Sequence, residues 1–238
     1  MQLLTKKFNF LQENTIVVLL FSFTIIAVWA EICSFKAIQF TFRPLVALLI
    51  FCLYWSTSKE RSSLFFITTF FLLLTSIFII SESKLFLILG VAGIMIHRTV
   101  LIFYIIKLNK VRDFIPILIA LFPFIFIFSY LLSISDGIPH GSYYPLLLQN
   151  ILVSILGGVV LSNYFMNETT STPWLSIFGV LSIGLYFTVF IEKVFLNNLP
   201  STYFKPLGMV LYVTSYYAFY KFVIDTESFN RESTADEE

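Results

Sequence analysis

The feature that most constrains this chain is a succession of apolar stretches, each about as long as a bilayer is thick, separated by short polar breaks. A helix needs about 20 residues to cross a hydrocarbon core of about 30 Å. Runs of that order occur at 15–35, 41–57, 63–81, 85–106, 114–134, 144–166, 173–196 and 204–224. They predict an all-α membrane protein, a bundle of about eight transmembrane helices, because lipid offers the backbone no hydrogen-bond partners and a helix supplies its own. Composition agrees: 58% of the 238 residues are hydrophobic and 12% charged, about half the charge of a soluble domain. In water so much Phe, Leu and Ile would form apolar patches larger than soluble monomers carry.

The chain reads as an N-terminal cytoplasmic segment (1–14), a single polytopic membrane domain (15–224) and an acidic tail (225–238) expected to be disordered and solvated. Pro44, Pro116, Pro145, Pro173 and Pro206 are expected in the first turn of a helix, where a missing N–H costs nothing, and Pro123 inside a span is expected to kink it. The first span ends in Ala27-Val28-Trp29-Ala30, which is faintly like a signal-peptidase site; cleavage would leave seven helices. Hydrophobicity resumes past Glu31 through Ile32, Cys33 and Phe35, so the expectation is a retained span.

Loop cations set the orientation. Lys6, Lys7, Lys59, Arg61, Lys107, Lys110, Arg112, Lys221 and Arg231 fall on the N-terminal side, against Lys36, Arg43, Lys84, Lys193 and Lys205 opposite. Both termini are therefore expected in the cytoplasm, and a bacterial inner (cytoplasmic) membrane is the expected location. A net charge of +1 excludes the basic field that nucleic-acid binding requires. Cys33 and Cys52, in apolar surroundings and without ligand-spaced neighbours, read as buried reduced thiols.

Ser154, Gly158 and Ser162 repeat at i, i+4, i+8 and predict a close helix contact, as do Gly90, Gly93, Gly179 and Gly184. Phe42-Arg43-Pro44-Leu45 and Phe204-Lys205-Pro206-Leu207 are alike, which fits either a parallel internal repeat or the common need for a cation, a proline and an aromatic at an interface.

Ionisable residues inside a membrane are expensive, so each is a candidate for function. His97 and Arg98 fall near the middle of the fourth span, Glu192 and Lys193 lie near the outer end of the seventh, and Glu31 closes the first. His97 shares a helical face with Gly93, Leu101 and Tyr104, while Arg98 points about 100° away. Glu192 with Lys193 is either an interfacial pair that snorkels outward or, facing inward, a general acid whose proton is held by desolvation. Glu31 offers a second carboxylate, and Arg43, Arg98 and Lys205 could hold a lipid phosphate or simply anchor helices. No Gly-rich nucleotide loop, His-Glu-x-x-His helix or Gly-x-Ser-x-Gly elbow occurs, and His97 and His140 are the only histidines. No cofactor or metal site is expected. Asp136, Gly137, His140 and Gly141 read as a polar turn outside the membrane.

Across residues 40 to 224 the chain resembles the YhhN family of lysoplasmalogenase-like membrane proteins. Arg43-Pro44-Leu45 is similar to a Lys-Pro-Leu of that family, Phe86 followed by His97 is similar to its Phe and His eleven apart, and Tyr216-Tyr217 before Ala218 is similar to a late Tyr-Tyr-x-Ala. The resemblance implies an eight-helix fold, a lysophospholipid as lipid partner, and hydrolysis of its vinyl ether by two carboxyl groups. Glu192 stands at or next to the family's seventh-helix acid, with His97 beside it in the catalytic set; Arg43, Arg98, Lys205 and Glu31 would bind substrate. The family's third-helix acid is absent, since that stretch reads Leu74-Thr75-Ser76-Ile77, and Tyr220 stands where the family tends to have Gln. Two further readings stay open: a non-catalytic protein of the same fold that binds a lipid or partner, and a small carrier with its site at His97 and Arg98.

Overall fold

A computed structural model describes residues 2–80, 83–109, 113–135, 140–166, 172–196 and 203–235. These form eight helices in chain order: α1 (Gln2–Ile32), α2 (Lys36–Thr57), α3 (Ser63–Ile80), α4 (Lys84–Leu108), α5 (Ile115–Ser133), α6 (His140–Met166), α7 (Pro173–Val194) and α8 (Phe204–Ala235). Seven of them are long and apolar enough to cross a membrane; α3 is equally apolar but shorter. The chain is thus a multi-pass integral membrane protein built of helices. Its large exposed side chains are those of a lipid-facing surface, including Phe70, Ile119, Phe122 and Phe126.

Sequence neighbours pack as antiparallel pairs, with α3 on α4, α5 on α6, α7 on α8 and α1 on α2. The last helix is the hub: α8 touches α1, α2, α4 and α7, whereas α5 packs only on α6. Around one interior stand α4, α6, α7 and α8. There α4 meets α6 closely and α8 thinly, and the α4 and α7 backbones do not approach. Any side chain crossing from α4 to α7 therefore traverses the inside of the bundle.

Several expectations change. The acidic tail is not disordered at its start, because α8 continues through Ala235 and buries Glu227; three hydroxyl donors on other helices make that burial tolerable, as described below. Residues 236–238 lie outside the described residues. Pro44 and Pro145 do not open their helices but lie inside α2 and α6. The helical backbone begins earlier than the apolar run does, at Lys36 in α2 and at His140 in α6, because backbone hydrogen bonding rather than hydropathy sets where a helix starts. Pro116 and Pro173 do sit in the first turn, and Pro123 lies inside α5.

Cys33 and Cys52 are exposed rather than buried, since an apolar neighbourhood in a membrane helix includes the lipid face. Ala27 and Ala30, the small residues of the signal-peptidase-like motif, are buried within the unbroken α1. That helix ends with Ser34 in the left-handed region (φ 57°) and the Phe35 N–H on the Ala30 carbonyl at 3.0 Å, the six-to-one bond that closes a helix end. The two similar motifs occupy different places, Arg43-Pro44 well within α2 and Lys205-Pro206 at the start of α8. Asp136, Gly137, Lys110 and Arg112 fall outside the described residues.

Small residues do make the predicted close contacts. A Cβ on Gly158 would lie 3.0 Å from Leu121 Cα and 3.1 Å from the Ile117 carbonyl oxygen, so α6 approaches the α5 backbone there. Gly93 meets Thr75 of α3 and Gly179 meets Val160 of α6. Gly184 is the exception, with open space where its side chain would be. Hydroxyls inside the apolar helices bond their own backbone, as Thr24 does to Leu20 (2.7 Å), Thr69 to Phe65 (2.9 Å) and Thr188 to Gly184 (2.8 Å), which removes the cost of an unpaired polar group in lipid.

Candidate functional site

Three polar clusters occupy different depths of the bundle. The middle one is built on adjacent residues of α4 that point in different directions. His97 is 3% exposed, with Nδ1 2.9 Å from the Thr68 carbonyl of α3 and Nε2 2.6 Å from the Tyr216 hydroxyl of α8. A carbonyl only accepts, so Nδ1 carries the proton and donates to Thr68, and Nε2 accepts from Tyr216. The ring is neutral, held in one tautomer, and committed at both nitrogens. One helical turn nearer the start of α8, Ser76 spends its hydrogen on the Leu72 carbonyl (2.8 Å), so the Tyr212 hydroxyl at 3.0 Å donates to it.

Tyr216→Phe should lower thermal stability by about 1–3 kcal/mol, the cost of an orphaned buried acceptor at Nε2. Melting in detergent, compared with Tyr217→Phe, measures it; equal melting would show that the bond carries no stability.

Arg98 takes the other direction. Its guanidinium donates to Gln149 Oε1 of α6 in a short bond and lies 4.7 Å from the centroid of the Tyr186 ring of α7, so it spans the gap between α4 and α7. Tyr186 in turn donates to Asn150 Oδ1, and Asn150 Nδ2 reaches the Phe128 carbonyl of α5 at 3.3 Å. All these partners are neutral. None of the ion pairs among the described residues includes Arg98. Arg98, Tyr212 and Tyr216 lie deep in the bundle, yet each keeps part of its surface accessible.

A second cluster, at the end of the bundle where α1 closes and α2 begins, is Glu31 with Arg43. Arg43 Nη2 lies 2.6 Å from Glu31 Oε1, with the carboxylate nearly enclosed and the guanidinium partly open. The pair is held by charge rather than alignment, because Glu31 Oε1 and Arg43 Nε have no hydrogen-bond partner. Arg43 also lies within electrostatic range of Tyr212, which relates this pair to the middle cluster. Glu192 and Lys205 stand apart from it. Glu192 is buried in the last turns of α7 and has Lys193 Nζ at 3.8 Å, with Lys193 itself snorkelling outward at 67% exposure, while Lys205 is exposed at the start of α8. His97 and Glu192, the expected catalytic pair, share no contact; Glu192 is also six residues, or about 9 Å of helix, beyond Tyr186.

The third cluster, at the opposite end of the bundle beside the end of α2, was not foreseen. Glu227 is 2% exposed, and its carboxylate accepts from Tyr54 (2.6 Å), Ser58 (2.7 Å) and, more distantly, Tyr104 (3.5 Å). Beside it Lys221 pairs with Glu13 at 2.9 Å, and the Tyr220 hydroxyl donates to Thr57 Oγ1 at 3.0 Å. The signal was present: Tyr212, Tyr216 and Tyr220 recur every four residues, and Glu227 follows Tyr216 by eleven, three full turns, so all lie on one face of α8. Gln149-Asn150, two amides in the middle of an apolar run, was likewise a signal.

Among the described residues no three His, Cys, Asp or Glu side chains come together as a metal site would require. The groove on the lipid face of α2 and α3, lined by Ala47, Leu48, Phe51, Thr69, Phe70 and Leu73, is apolar and offers no catalytic group. No protein-family model matches the chain, nor does a curated protein or a solved structure.

Proposed function

We propose that this protein binds an anionic amphiphile, of the lysophospholipid class, in a hollow between Arg43 and Arg98 lined by the partly accessible Tyr212 and Tyr216, and does so without catalysing its cleavage. One observation carries the reading: Arg98 is a cation deep in a membrane bundle whose partners, Gln149 and the Tyr186 ring, are all neutral. A buried charge is normally neutralised by a counter-charge, and a ligand phosphate or carboxylate supplies one. Arg43, nearer the outer surface and with Nε unpaired, supports the same chemistry at the mouth. We place the chain in a bacterial inner membrane with both termini in the cytoplasm, which puts this mouth on the far side.

Hydrolysis is the second reading, and one contact favours it. Tyr216 and His97, which carry two of the motifs shared with the YhhN family, meet at 2.6 Å. Cleaving a vinyl ether requires a proton delivered to carbon, water added to the resulting cation, and collapse of the hemiacetal to an aldehyde and an alcohol. Glu192 would be the proton donor, but it lies apart from the hollow, and His97 has no free nitrogen to act as base. The test is purification in mild detergent followed by incubation with a lysoplasmalogen. The expected result is retention of the lipid in intact form. Aldehyde release that is lost in Glu192→Gln would replace binding with hydrolysis, and uptake of the anion into vesicles would favour a carrier.

A further inference from the structure

Glu227 has no role in the reading above. Both carboxylate oxygens are engaged, yet every donor is a neutral hydroxyl: Tyr54 from α2, Ser58 just past its end and Tyr104 from α4. None of the ion pairs among the described residues includes Glu227, and the side chains of Lys59, Lys107 and Arg231, each within a turn of the cluster, are exposed. Glu60 faces the site from the α2–α3 loop, Lys221 of α8 is paired with Glu13 of α1, and Arg61 turns away to lie 4.4 Å from the centroid of Trp55. A carboxylate buried without a cation costs several kcal/mol unless it takes up a proton, and three hydroxyl donors offset part of that cost. The charged and neutral forms are thereby brought close in energy.

The site is also one shell from water. Tyr54 Oη accepts the Ser62 N–H (2.8 Å) and Ser58 Oγ accepts the Arg61 N–H (3.0 Å), and residues 59–61 are exposed. Ser58, which bonds Glu227 directly, keeps 7% of its surface accessible, so its hydroxyl is the route by which a proton would pass between Glu227 and water.

The geometry points to Glu227 as a proton-exchange site at the end of the bundle where α2 closes, linked through α8 to the occupancy of the Arg98 hollow. The linkage rests on the binding reading above; the proton site does not. Tyr216 and Glu227 share one face of a continuous helix, about 16 Å apart along its axis. An anion entering beside Arg98 and Tyr216 adds negative charge to the same low-dielectric interior and raises the affinity of Glu227 for a proton.

The test has two arms. Infrared difference spectroscopy of the protein in nanodiscs should reveal a protonated carboxyl band that grows from mildly alkaline to mildly acidic pH, is missing in Glu227→Gln, and moves in frequency but persists in Tyr54→Phe. Absence of any titrating band that depends on Glu227 and Tyr54 overturns the site. Calorimetry of lysophospholipid binding in two buffers of different ionisation enthalpy should show proton uptake in the wild type and none in Glu227→Gln. Equal heats in both buffers overturn the linkage alone; the absence of any saturable heat overturns the binding reading, and the linkage with it, while the infrared band still decides the proton site.

Discussion

Replacing Arg98 by Gln should reduce the amphiphile that co-purifies with the protein by at least about thirtyfold, while leaving the fold intact. A charge-assisted hydrogen bond is worth about 1.5–3 kcal/mol, and a guanidinium presents two or more of them to a phosphate or carboxylate. Each 1.4 kcal/mol is about tenfold in affinity, so losing even one such bond and part of a second reaches that figure. Folding should survive, because the substitution removes a buried charge with no counter-charge, a change that is neutral or stabilising in many interiors. Arg98→Lys is the informative intermediate. It keeps the charge but loses the planar fork and the stacking on Tyr186, so it should retain a measurable fraction of the lipid. The measurement is quantitative mass spectrometry of lipids extracted from protein purified at matched detergent. Wild-type levels in Arg98→Gln would remove the anion site.

How legible this arrangement was in the sequence depended on what each feature rests upon. Membrane residence and the helix count followed from apolar run length alone, because lipid admits few solutions for the backbone. Helix ends were less legible. Pro44 marked an apolar onset rather than a helical one, and α8 outlasted its apolar run by eleven residues. A reading based on hydropathy stops where the bilayer does, whereas a helix stops where its hydrogen bonds and packing do. Glu227 shows the cost, since a carboxylate in an acidic tail reads as solvated unless its phase relative to Tyr216 is counted along the helix.

The candidate site was legible in part for a related reason. Charged residues in an apolar run announce themselves, so His97, Arg98, Glu31 and Arg43 were found. Glu31 and Arg43 pair with each other, but the network around His97 and Arg98 is a backbone carbonyl (Thr68), amides (Gln149, Asn150) and phenols (Tyr186, Tyr216), which carry no charge and no fixed spacing to the residues they serve. Which of two adjacent residues faces which helix depends on packing between elements far apart in the chain. The Gly-lined contacts set that packing.

Gly179→Ala should therefore be among the most damaging single changes outside the polar clusters. A Cβ at 179 would lie 2.5 Å and 2.7 Å from the two methyls of Val160 and 2.9 Å from its Cβ, closer than atoms can approach. The neighbour cannot yield easily, because Val160 is β-branched, sits mid-helix in α6 and is itself buried, which leaves little rotamer freedom. The helices must separate or slide, at a cost of about 1–3 kcal/mol. Gly184→Ala is the matched control on the same helix. Nothing lies within 4 Å of its added carbon, so stability should hold or rise by up to about 1 kcal/mol from helix propensity. Thermal unfolding in detergent should then place Gly179→Ala well below the wild type, with Gly184→Ala at or above it. The double variant Gly179→Ala with Val160→Ala should recover part of the loss, since it removes the two methyls and leaves only the Cβ contact at 2.9 Å. Equal melting of the two single variants would mean that α6 and α7 are not packed at this contact. Because α6 and α7 supply Gln149 and Tyr186, a slide between them also moves the partners of Arg98. Lipid retention should accordingly fall with stability in Gly179→Ala and return with it in the double variant.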